Sequence, residues 1–222
     1  MTENNMKNGE MSEKEFTRLY CSELDTVMSD IIPQCVTDVD MSLKNIGWLT
    51  SKQKRSVRAS FINRAVAKAC GEHALGDWTV DESGYTHLTH KPSGLKIRLR
   101  SVDKKTGRAP HGGNTFAARA RYNQGSLLGP ECIQFGVDGI PDLSGINLML
   151  VCDYEKLDST FMTIHRPIEN GKYGSGIVSA YSYPLERGID GMIPLVEFVP
   201  DQNDSVNVLD FLAQDEDVKV NG

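Results

Sequence analysis

Lys96, Arg98 and Arg100 alternate with Leu95, Ile97 and Leu99. On a β-strand, side chains two residues apart share a face and stand about 6.6–7 Å from one another. The stretch therefore predicts a strand with one apolar face and one cationic face. Lys104, Lys105 and Arg108 carry the charge through the next loop, and Arg119 and Arg121 follow on a short predicted helix. Phosphate recognition needs such clustered, long-reach cations, with arginine favoured for paired hydrogen bonds. Gly112-Gly113, entering the same helix, adds backbone N–H groups to an anion site. The alternative is the solvated outer face of an antiparallel sheet. Solvated faces mix signs, whereas Asp103 is the only acid between Lys91 and Arg121.

A second chemistry is metal-dependent phosphodiester cleavage. Asp103-Lys104-Lys105, with Asp81 upstream, has the spacing of restriction-like nucleases. Asp81 and Asp103 would hold Mg²⁺ or Mn²⁺ while Lys105 stabilises developing charge. This reading needs Asp103 inside the strand, yet the residue falls where strand gives way to turn. His87-x-x-His90 points its two rings to opposite faces of a strand, and no nearby cysteine completes a zinc set. His111 has no visible partner. Arg58 lies in the apolar arc of a predicted helix, where it either snorkels over the core edge or reaches an anion. No nucleophile elbow, phosphate-binding loop, H-E-x-x-H or dinucleotide fingerprint occurs. Outside the nuclease reading, no cofactor or metal is expected.

The charge along the chain frames these candidates. Residues 1–50 carry 4 Lys/Arg against 9 Asp/Glu, residues 51–121 carry 15 against 5, and residues 122–222 carry 5 against 16. A basic middle between acidic flanks suggests a polyanion site, a docking face for an acidic partner, or a face covered by the chain's own tail. That tail, from Asp201, holds an apolar Leu209/Phe211/Leu212 cluster ahead of Asp215-Glu216-Asp217. It is either a solubilising terminus or a segment that orders on docking to a partner. Five cysteines without C-x-x-C spacing fit reduced thiols, several of them small core hydrophobes. There is no apolar leader and no run of eighteen apolar residues, so a cytoplasmic protein without a membrane span is expected.

The elements that must position these residues read as follows. Residues 1–11 form a flexible leader. Ser12 and Glu15 make a capping box, and apolar residues from Phe16 to Ile31 predict an amphipathic helix ending at Pro33. Residues 34–50 read as loop with a short helix near Met41–Trp48. A second helix runs from Thr50 or Ser51 to about Ala74. The period then changes to two, predicting strands at 78–80, 85–90 and 95–100. A short helix spans 116–124, capped by Asn114 or Thr115. Ile146–Cys152 predicts a central strand covered on both faces, followed by strands at 161–165, 176–183 and 193–199. The whole predicts an α+β fold over residues 12–200: two N-terminal helices on a mostly antiparallel sheet with one short inserted helix.

A basic helix at 51–74, an alternating basic strand at Leu95–Arg100, a long apolar strand at Ile146–Asp153 and a closing Ser182-Tyr183-Pro184-Leu185 occur in this order. The order resembles a class of uncharacterised bacterial proteins encoded beside phage-repressor and metallopeptidase genes on mobile elements. The resemblance implies mobile-element regulation, toxin–antitoxin pairing or phage defence. It implies no catalytic residue. The residues themselves lead to a non-enzymatic regulatory protein that binds nucleic acid or an acidic partner through Lys96, Arg98, Arg100, Lys104, Lys105, Arg108, Arg119 and Arg121. The rivals are the nuclease and a toxin–antitoxin-type protein–protein module gripped through the tail.

Overall fold

Six strands pair in chain order in the computed structural model, which describes residues 11–81, 85–125, 127–157 and 162–185. They are β1 (Trp78–Val80), β2 (His87–His90), β3 (Lys96–Ser101), β4 (Asn147–Cys152), β5 (Met162–Lys172) and β6 (Gly176–Pro184). Every neighbouring pair is antiparallel except β3 and β4, which are parallel with Arg98 opposite Met149 and Arg100 opposite Val151. A parallel pair requires a crossover. Here residues 102–146 supply it and carry the short helix, α4 (Phe116–Tyr122). The fold is α+β, as expected. Residues 1–10 of the leader, the strand at 193–199 and the tail with Leu209, Phe211 and Leu212 lie outside the described residues.

Three N-terminal helices stand where two were expected: α1 (Glu13–Ser22), α2 (Asp25–Asn45) and α3 (Ser51–Glu72). The Ser12/Glu15 capping box starts α1, which stops at Glu23, whose N–H turns back to the Tyr20 and Cys21 carbonyls. The next helix then runs straight through Pro33. An interior proline costs about 3 kcal/mol. The apolar stripe of Met28, Ile32, Val36, Val39 and Leu43 continues past it into the core and offsets that cost. A second capping box, Thr50 with Gln53, starts α3.

Burial on the sheet's first face explains the layering. Leu88, Ile97, Leu99, Leu148, Leu150, Met162, Ile164, Tyr181 and Tyr183 join the helices in one apolar cluster. On the second face, Met149 and Val151 pack under Tyr122 of α4. The central strand β4 is thus covered on both sides, as its apolar run predicts. Cys21, Cys35, Cys70 and Cys152 are core hydrophobes, and burial pushes the first three thiols up to about 12. The segment expected at 161–165 extends to Lys172, where Gly171 (φ 70°) closes the β5–β6 hairpin; a Cβ there would collide with the Gly176 carbonyl. No helix among the described residues is long and apolar enough to cross a membrane.

Candidate anion-binding face

Because Ile97 and Leu99 face the helices, Arg98 and Arg100 must project from the other side of β3. That face is where α4 docks, and polar side chains fix it there. The Gln124 side chain donates to the Asn147 and Pro167 carbonyls and accepts from the Asn147 N–H. The Asn123 side chain accepts from the Asn170 N–H, and the Asn170 amide donates to the Gly113 carbonyl. Thr115, one of the two expected caps, accepts from the Ala118 N–H. The helix so placed sets Arg121 beside the β3 arginines.

The electrostatics show this proximity. Arg98 is half-buried, and its affinity for protons falls through burial first, with Arg121 and Arg100 adding repulsion against a favourable Tyr122. His87, the cross-strand partner of Arg98, is lowered by burial and then by Arg98 and Arg121, with Asp81 opposing. Four basic groups from three elements therefore share one field. Among the described residues, no carboxylate comes within ion-pair distance of Arg98, Arg100 or Arg121. Replacing Arg121 with glutamine is expected to raise the pKa of His87, read from its ring resonances by NMR titration. An unchanged value would separate Arg121 from the cluster.

Toward β6 the same face sinks into a groove of about 640 Å³ at the C-terminal ends of the parallel pair. Ligands of α/β sheets favour such carboxyl ends. Arg108, Lys156 and the carboxylate Asp153 line it, with Thr163, His165, Ser179 and Ser182 as neutral donors and acceptors. His165 Nδ1 lies 3.3 Å from Ser179 Oγ, and burial lowers its pKa.

The remaining expected contacts disperse. Lys96 reaches the Ser144 carbonyl at the far end of β3, and Lys105 lies over the Tyr173 ring. Lys104 is paired with Glu155 at 3.3 Å. Arg119 sits on the exposed side of α4. Arg58 neither snorkels nor waits for an anion: it grips Asp40 through two bonds of 2.6 and 2.8 Å and also meets Glu155. The Gly112 N–H, offered to an anion by the sequence, donates instead to the Asn170 carbonyl.

The nuclease constellation is not assembled. Asp81 pairs with His87 across β1–β2, whereas Asp103 accepts from the Lys105 and Thr106 N–H groups and closes its own turn. Those two bonds lower its pKa. Two strand spacings of about 4.8 Å and five residues at about 3.3 Å put the two aspartates on the order of 19 Å apart, too far for one ion. His87 and His90 do point to opposite faces, as the spacing predicts.

His87, Tyr122, His165, Lys156 and the hydroxyls of the groove are absent from the contacts that spacing and charge predict. The alternation Met162–Thr163–Ile164–His165 carries a signal for two of them. The register shift beyond Arg166 blurs it for Ser179, whereas Ser182 sits in regular register opposite His165. Set against known protein families, curated proteins and solved structures, the chain matches none.

Proposed function

We propose that the protein is a non-enzymatic nucleic-acid-binding protein that holds the phosphate backbone of its ligand on the second face of its sheet. The observation that carries this reading is the convergence of Arg98, Arg100 and Arg121 without a carboxylate partner among the described residues. Keeping three arginines together unneutralised opposes folding through mutual repulsion, and an anionic ligand relieves it. Exposed aromatic rings lie on elements bordering this face: Phe116 at the start of α4 is 88% exposed, and Tyr173 in the β5–β6 turn is 71% exposed. Such rings stack on unpaired bases, which favours a single strand over a duplex. A nucleic-acid ligand also suits the mobile-element setting that the order of landmarks resembles.

Each phosphate contact releases counterions, so affinity for single strands falls with a log–log salt slope of about −0.7 per contact. Three arginines predict a slope of about −2 or steeper in fluorescence anisotropy with a labelled single-stranded oligonucleotide. A flat response removes the nucleic acid from consideration. Tight binding to an acidic peptide in its place would transfer the face to a protein partner.

A further inference from the structure

On the opposite side of the sheet, where β1 and β2 meet the helical layer, one ring nitrogen of His90 and one carboxylate oxygen from each of Glu23 and Asp77 lie within 4.8 Å of one another. We propose that Glu23, Asp77 and His90 form a binding site for a divalent transition-metal ion of the zinc type.

The histidine is the reason. It is 1% exposed, stacked on Tyr20 at 4.3 Å between ring centroids and tilted against Trp78 at 5.2 Å. Its Nδ1 lies 2.8 Å from Ser93 Oγ and 3.4 Å from the Ser93 N, and Nε2 is buried with no hydrogen-bond partner among the described residues. Buried polar atoms are nearly always satisfied, and an orphan asks for an explanation. Ligation of a cation by Nε2 supplies one. Ligation through Nε2 puts the ring proton on Nδ1, which then donates to Ser93 Oγ, an outer contact of the kind that orients a ligating imidazole, in place of the longer bond of 3.4 Å that Nδ1 accepts from the Ser93 N–H.

The carboxylates are placed by backbone, and among the described residues nothing ties up their tips. Glu23 is the residue that ends α1, and the Asp77 carbonyl accepts the Lys91 N–H, tying the start of β1 to the end of β2. Both side chains are exposed. Ligands about 2.0–2.1 Å from a tetrahedral zinc stand about 3.3 Å apart, so the ligand atoms need to close by at most about 1.5 Å, which rotation of an exposed side chain allows. One imidazole and two carboxylates suit zinc and its neighbours better than magnesium or calcium, whose sites are built from oxygen alone. The partner histidine suggested by the His87-x-x-His90 spacing is replaced by acids from two other segments. Since this site and the arginines occupy opposite faces, the ion fastens the α1–α2 joint to the sheet edge and stands apart from the proposed nucleic-acid contact.

The test is a zinc titration of the metal-free full chain by competition with a chromophoric chelator, in a Cys132→Ser background because that thiol is exposed. One ion per chain and a zinc-dependent rise in Tm are expected. Glu23→Gln and Asp77→Asn should each weaken the affinity at least tenfold and abolish the rise in Tm. Both side chains are exposed, so circular dichroism should show an unchanged fold. Absence of zinc binding, or equal binding by the parent and both variants, overturns the proposal.

Discussion

Replacing Glu13 by leucine is expected to lower folding stability by about 3–5 kcal/mol, because it strands a buried charge. Glu13 and Arg166 are 1% and 3% exposed in their side chains and meet at 2.8 Å. The carboxylate also accepts from the Leu128 N–H at 3.0 Å and the Tyr181 hydroxyl at 3.3 Å, and Tyr181 in turn contacts Thr17. This network bolts the first turn of α1 to β5, β6 and the loop before residue 130. Removing the acid leaves a guanidinium in the core with little but the Pro167 carbonyl. Removing both charges is different, since a buried pair contributes little over a well-packed apolar pair. The double variant Glu13→Leu/Arg166→Met should therefore recover more than half of the loss in urea unfolding. If the single variant loses under about 1 kcal/mol, Arg166 has found water and the pair is not buried in solution.

The second large effect concerns the arginines. The triple variant Arg98→Gln/Arg100→Gln/Arg121→Gln is expected to bind single-stranded nucleic acid about 100-fold more weakly at 0.1 M salt, since three contacts at about 0.7 each forfeit roughly two decades between 1 M and 0.1 M. Its salt slope should flatten by about two. Lys104→Gln makes the matched control. That ammonium already faces Glu155, so its loss should change affinity little. If the control weakens binding as much as the triple variant, the contact face is diffuse and the cluster has no special role.

Short-range signals in the chain are the legible ones. The Ser12/Glu15 capping box, the start of α3 at Thr50 or Ser51 and the alternation of β3 are written within a few residues, and each stands as expected. The break at Glu23 is not legible, because Glu23 and Leu24 keep right-handed helical angles and only their N–H bonding changes, to the Tyr20 and Cys21 carbonyls three residues back. Pro33 misleads for the opposite reason: a strong local rule loses to tertiary burial on both sides of it. The cationic face is half legible. Alternation places Arg98 and Arg100 together, but nothing local distinguishes them from Lys104, which a glutamate 51 residues later neutralises. Likewise His90 gains its acidic neighbours from Glu23 and Asp77, a pairing that no spacing rule near His90 could announce.

The parallel seam between β3 and β4 has a further consequence. Every other junction in the sheet closes by folding back on a near neighbour, whereas this one must bring together strands separated by residues 102–146. Long loops close late and at an entropic penalty. Arg98 and Arg100 lie on one side of that seam and Arg121 rides on the chain that spans it. If the arginines hold an anion as proposed, it would act as a clasp across a joint that closes only over a long crossover, so occupancy and completion of the sheet would reinforce each other.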